Sequence, residues 1–261
     1  GGALQACAIL WRLSNAGYAE ELLELGAVEA LKSSLVTALQ RDGAPRAAHL
    51  ESGGGKARPT FTPLSEGQQE TAAWAACALW RVMHCRDAAR RATACGAIEV
   101  LLAAVEWPER TSYCDAMRRA AIGCLGLMFQ NNDLLAALDM ANAPYRLKKL
   151  VDNPKWQVVS RTSALIALEI WDKTARLLGR GCTGASQLQE LATNLLSDTE
   201  PTMRALACRI CSRLACAGYQ RGLVELGAPK KLNAQIERTV AAIFEAHRLA
   251  KEADATEADA R

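Results

Sequence analysis

Aromatic residues are scarce in this sequence, with three Phe and four Tyr among 261 residues. Strands draw on aromatic and β-branched side chains, so a sheet-built protein is disfavoured. No apolar run approaches the ~18 to 20 residues that a membrane-spanning helix needs, and no membrane partner is expected. Histidine occurs three times (His49, His84, His247), and no Cys–His set has the spacing of a metal site. The adjacent His84-Cys85 pair cannot form one alone. No Asn-x-Ser/Thr site for N-glycosylation is present. Neither sign of charge dominates: 31 Lys and Arg stand against 28 Asp and Glu. Half of the residues are hydrophobic, which excludes disorder over the whole length. An initiator Met and a basic-then-apolar leader are also missing. Gly1-Gly2-Ala3 runs straight into a helical pattern, so the chain reads as part of a longer protein.

Reactive constellations are lacking too. Cys208-x-x-Cys211 falls inside a predicted helix and has no second pair to complete a zinc site. A redox role would place it at a strand-to-helix junction. Ser52-Gly-Gly-Gly-Lys56 is followed by Ala57 and preceded by no strand, so it fails as a phosphate-binding loop. No serine nucleophile elbow and no paired carboxylates stand out. The expectation is a protein without catalysis, cofactor, metal or small-molecule substrate. The ten Cys are scattered through apolar helical stretches, as small buried residues in a reducing compartment would be. An intracellular, cytoplasmic location follows.

What the chain does have is alanine, 50 residues of it, and a repeat. The segments ELLELGAVEAL (21–31), ATACGAIEVLL (92–102) and LVELGAPKKL (223–232) share one signature. Weaker copies fall at 138–150 and 181–191. Ala-rich amphipathic stretches align on Leu10, Leu79, Leu125, Leu168 and Cys211, at steps of 69, 46, 43 and 43 residues. An insertion at 40–66, containing Gly53-Gly54-Gly55, Pro45, Pro59 and Pro63, accounts for the long first step. Each unit reads as a short helix ending at Gly26, Gly96 or Gly227, then a second helix (28–39, 97–106, 144–151, 185–197) and a longer third. Breaks at Trp107-Pro108, Asp152-Asn153-Pro154 and Asp198 to Pro201 precede the third helices. One triplet cannot hide its apolar face, so neighbours must stack.

These residues resemble the armadillo repeat family, which includes importin-α and β-catenin. The Gly-Ala-(Val/Ile)-x-x-Leu turn and the Ala-x-x-x-Leu of the third helix carry the likeness, and the short first helix separates it from HEAT repeats. The match covers a truncated repeat (1–15), repeats at 16–83, 84–129, 130–172 and 173–216, and a terminal piece (217–261). The resemblance implies an all-α fold, a right-handed superhelix (solenoid) whose third helices line a concave groove. In importin-α-like members a Trp and an Asn four apart on that helix grip an extended basic peptide. Here the Trp positions hold Ala8, Cys77, Gly123, Ile166 and Arg209, and the Asn positions hold Arg12, Arg81, Leu127, Ile170 and Arg213. A nuclear import adaptor is disfavoured accordingly, and a targeting module of a larger protein stays open beside it.

By helical phase, Arg12, Arg81 and Arg213 point outward at equivalent places, and Arg209 joins Arg213 one turn earlier. They read either as a basic strip for an acidic, extended or C-terminal partner segment, or as residues that pair with Glu or Asp on neighbouring repeats or lie in water. Trp11 and Trp80, each in Leu-Trp-Arg, read either as exposed hot spots or as packing against the adjacent third helix. Trp74, Trp107, Trp156 and Trp171 show no periodicity and read as gap fillers. Between 204 and 248 eight Lys or Arg face three acids, while nucleic-acid motifs are missing. From Lys230 to Ala253 one long helix is expected to cover the end of the stack with Leu232, Ile236, Val240, Ile243, Phe244 and Leu249, before a frayed acidic tail. The expected function is a protein–protein interaction scaffold holding an extended or helical segment, as a subunit of a larger complex. The Ala-, Gly- and Arg-rich composition resembles that of ciliary armadillo proteins of green algae, which implies an axonemal or ciliary assembly of the cytoskeleton.

Overall fold

The computed structural model describes residues 2–39, 63–177 and 183–259, and every regular element in them is helical. Two compact units divide the chain, Gly1–Arg180 and Gly181–Arg261. Most of the predicted insertion at 40–66, with His49 and the Ser52–Lys56 stretch, lies outside the described residues, as does Cys182.

The first unit contains α1 (Gly2–Asn15), α2 (Ala19–Glu24), α3 (Ala27–Leu39), α4 (Glu66–Val82), α5 (Ala88–Ala94), α6 (Ala97–Val105) and α7 (Ser112–Phe129). A 3-10 turn (Asn132–Leu134), α8 (Leu135–Met140), α9 (Ala143–Asp152) and α10 (Val158–Leu177) complete it. Short, medium and long helices recur in the order the sequence predicts. The turn between the first two of each triplet needs a left-handed residue: Gly26, Gly96 and, in the second unit, Gly227 take φ of 80°, 75° and 77°. In the weaker copy Asn142 does the same at 53°, and Asn is the side chain that tolerates this conformation best. The third helices have caps of their own. Ser65 and Gln68 form a capping box on α4, and Thr111 accepts from the Cys114 amide on α7. Helix α4 therefore starts at Glu66, inside the range assigned to the insertion.

Long helices pack side by side, α1 on α4, α4 on α7 and α7 on α10, with α3, α6 and α9 behind them. Leu79, Leu125 and Leu168 are buried as expected, and so is Cys211 in the second unit. Leu10 is not: it is half-buried, while Cys7 and Ser14 are the buried residues of α1. Helix α1 is covered chiefly by α4, and Leu10, on the same face as Cys7 and Ser14, is only partly covered there. Helix α10 also departs from expectation, continuing through Leu177 beyond the predicted repeat end at 172.

A second periodicity escapes the sequence reading. Arg118, Arg161 and Arg204 lie 43 residues apart, each seven before a rung of the core. Arg118 is fully buried and donates to the carbonyls of Val105, Trp107 and Glu109 and to Asp115 Oδ1. Its guanidinium lies 4.2 Å from the Trp156 ring centroid. Burial lowers its pKa and Asp115 offsets part of that. Arg161 repeats the device on the Val151 carbonyl, and Arg204 on those of Asp198 and Thr199. A helix leaves its last carbonyls unbonded. Arg118 and Arg161 satisfy one at the end of α6 and of α9, and Arg118 and Arg204 also bond carbonyls of the loops that follow the second helices. On α4 the buried Gln69 takes a related part, donating to the Leu64 carbonyl and Glu109 and accepting from Thr111.

The second unit holds α11 (Thr183–Leu195), α12 (Pro201–Cys216), α13 (Gln220–Glu225) and α14 (Ala228–Asp259). Gly184 sits inside α11, so the weak signature at 181–191 does not mark a break between helices there. Helix α14 outruns its predicted end at Ala253 and continues through stretches expected to fray. Its proposed covering role fails for the described side chains: Ile236, Val240, Ile243, Phe244 and Leu249 are all exposed, Phe244 by 70%. Only Leu232 of that set is half-buried. Of the basic run at 204–248, Arg209, Arg213, Arg221, Lys230, Arg238 and Arg248 are exposed, and Arg204 and Lys231 are half-buried. Arg204 is tied inward, Lys231 donates to the Thr193 carbonyl, and Arg221 and Arg248 pair with Glu225 and Glu245.

Candidate functional site: a groove over α7

The inner face of the first unit is built by α4, α7 and α10, and its depth comes from unequal side chains. On α7 the residues Ala116, Ala120, Gly123 and Gly126 are small, whereas Trp80 stands on α4 and Val159, Ile166 and Ile170 stand on α10. The result is a pocket of about 570 Å³ with α7 as its floor. Val159 is 50% exposed, and Trp80 and Ile166 are each 39% exposed. Lining residues include Arg119 and His84 and no Asp or Glu.

Trp80 combines features of the two alternatives left open by the sequence. Its indole lies against Gly123 so closely that a Cβ there would come within 2.5 Å of Trp80 Nε1. Trp80 thus packs on the adjacent third helix and still shows one face to solvent. Trp11 packs likewise, 4.9 Å from Trp74 between ring centroids and tilted by 58°, and is half-buried. That contact gives Trp74 a role between α1 and α4 rather than in a local gap. Trp156 sits beneath Arg118 and 5.6 Å from Arg110, and Trp171 Nε1 donates to Asp139.

Arg12 and Arg81 are exposed on α1 and α4 in the first unit; Arg209 and Arg213 are exposed on α12 in the second. Arg213 has an interaction partner of its own. The structure adds Arg119, which sequence reasoning missed although it lies four residues, one helical turn, ahead of Gly123 on the same face. Arg119 is exposed, and its Nε reaches only the Asp115 carbonyl at 3.4 Å. Its charge bears on Cys77, whose thiol burial pushes up and Arg119 draws partly back. Burial raises the Cys124 thiol still further, with Cys77 adding to the effect. Both are poor nucleophiles. No cluster of His, Cys, Asp or Glu fit to hold a metal occurs among the described residues. None of their helices is long and apolar enough to cross a membrane.

No protein-family model matches this sequence, and no curated protein does. Solved structures do. An engineered protein from a structural genomics consortium superposes with a TM-score of 0.59 at 17% identity, over 88% of this chain and 81% of its own. The armadillo repeats only protein from Plasmodium falciparum superposes with a TM-score of 0.56 at 12% identity, over 81% of this chain and 79% of its own. The fold is an armadillo-like repeat. At such identities the likeness extends to the fold alone. In armadillo terms the pocket occupies the third-helix face where the ladder residues would stand, and Cys77, Gly123, Leu127, Ile166 and Ile170 stand there instead.

Proposed function

We propose that this chain is a non-catalytic, intracellular scaffold that holds an acidic segment of a partner protein along the inner face of α4, α7 and α10. The observation that carries the reading is the groove itself: apolar along most of its floor and walls, with Arg119 as the cation of its lining and no carboxylate there. Apolar anchors supply most of the binding energy at protein interfaces, and rim charges select and steer the partner. Nine cysteines are free of disulfides, which suits a reducing compartment. Nothing on the face offers the amide ladder of an import adaptor.

Photo-crosslinking in cells tests the reading. A crosslinking residue replacing Ile166 in the full chain is expected to trap discrete protein partners, and one replacing the outward Leu25 is not. The same partners trapped equally from both positions, or none from Ile166, would overturn it. Identifying the trapped proteins, with imaging of the tagged chain, also tests the further proposal of a ciliary or axonemal assembly.

A further inference from the structure

We propose that the pocket over α7 seats an amphipathic partner helix, not an extended strand. The inference deepens the groove reading above and rests on it. An extended segment brings one N–H and one C=O per residue, and burying them without partners costs about 1–3 kcal/mol each. Apart from the Arg119 guanidinium, which can only donate, the floor on α7 has little to answer them. Gly123, Gly126, Ala120 and Ala167 have no polar side chain. The Ser163 hydroxyl donates to the Val159 carbonyl at 2.9 Å and so could answer one N–H but no C=O. His84 and Gln130, both exposed, stand at the end of the groove where α4 and α7 terminate. A helix satisfies its own backbone and asks a groove only for apolar contact.

Dimensions agree with this choice. Packed helices lie about 8–10 Å apart, so α4 and α10 are separated by roughly 16–20 Å across the low ridge of α7. A helix with its side chains is about 10–12 Å wide. Trp80 on one side and Val159, Ile166 and Ile170 on the other would flank it. The incoming helix would then set apolar residues at i, i+3 or i+4, and i+7 onto α7. Charge fixes the flank: Arg119, which lines the pocket, has no carboxylate partner among the described residues, so Asp or Glu belongs on the edge of the helix that faces it.

The test is a competitive display selection against the full 261-residue chain. One library holds 15-residue segments on a rigid helical scaffold; the other holds linear segments of equal length with a proline at every third position. Winners are then measured on the wild type and on Ile166→Glu, Val159→Glu and Arg119→Glu, after circular dichroism confirms the fold of each. Val159 is half exposed, so its variant keeps the test open if Ile166→Glu misfolds. The expected result is a helical pool enriched in Asp or Glu on one flank. Its Kd should rise roughly tenfold or more in Ile166→Glu and Val159→Glu, and several-fold in Arg119→Glu, more at low salt. Proline-spaced winners that lose binding in Ile166→Glu would sink the helix proposal and leave the groove reading standing. No winner of either kind sensitive to Ile166→Glu or Val159→Glu would sink both. Helical winners indifferent to Arg119→Glu would overturn the acidic flank.

Discussion

At the scale of single residues, the buried arginines are the most consequential feature that sequence reading missed. Charged residues are read as surface by default, and helical phase alone does not show that Arg118 has three carbonyls and a carboxylate around it. Yet the 43-residue step through Arg118, Arg161 and Arg204 was visible in principle, because it matches the step of the core rungs. Arg118→Ala should cost about 3–5 kcal/mol, since it strands Asp115 and three carbonyls without a partner. Urea unfolding should show a lower midpoint with an unchanged slope; a loss below ~1 kcal/mol would mean that the guanidinium is not what holds these groups. The core cysteine Cys211 makes a pH prediction. Burial pushes its thiol from 9.0 up to about 11. The unfolded chain therefore loses this proton first, and between those two values the native state binds more protons. Stability is untouched below about pH 9 and falls as pH rises toward 11, by at most ~1.4 kcal/mol per unit. Unfolding midpoints at pH 7.5 and 10.5 should differ less in Cys211→Ala than in the wild type, and an equal difference in the two would refute the assignment to this thiol.

At the scale of elements, the triplets were legible because each boundary has a chemical marker. A left-handed Gly closes the short helix, a Ser, Thr or Pro opens the long one, and apolar residues three and four apart fill the rest. The groove was half legible. Aligning third helices finds Gly123, Leu127, Ile166 and Ile170, and packing of Trp80 on the adjacent third helix is one of two readings the sequence allows. It does not show that the indole lies on Gly123. That contact depends on the spacing between two helices, which periodicity within either does not encode. Gly123→Ala checks it. A methyl group at 2.5 Å from the indole cannot be accommodated without movement of Trp80, at an expected cost of about 1–3 kcal/mol. Gly126→Ala is the control, since its nearest neighbour, the Ala167 Cβ, would lie at an ordinary 3.7 Å. Thermal melts of the two variants should separate by several degrees, and tryptophan emission should shift only for Gly123→Ala. Equal melting temperatures would mean that the indole is free to swing away.

At the scale of the whole molecule, stability should be graded along the chain, and α14 is where helical patterning and burial part company. The spacing of Ile236, Val240 and Ile243 is that of a packed face, and it predicted the helix correctly. Amphipathicity states which side wants cover without supplying the cover, and these side chains stand 43 to 63% exposed. Most helical stability in proteins comes from such packing, and a helix lacking it is marginal in water. In α7, by contrast, Met117, Arg118, Ala121, Leu125 and Met128 are all buried. Amides opened by local fluctuation exchange at the rate set by local, not global, free energy. Residues 234–249 should therefore exchange hydrogen at least about a thousandfold faster than the centre of α7, a difference of ~4 kcal/mol. Mass-spectrometric exchange on the full chain measures both segments in one sample. Comparable protection in the two would show that the apolar stripe of α14 is already covered in solution. If the stripe is covered by self-association, diluting the chain should restore fast exchange in 234–249 while leaving α7 protected.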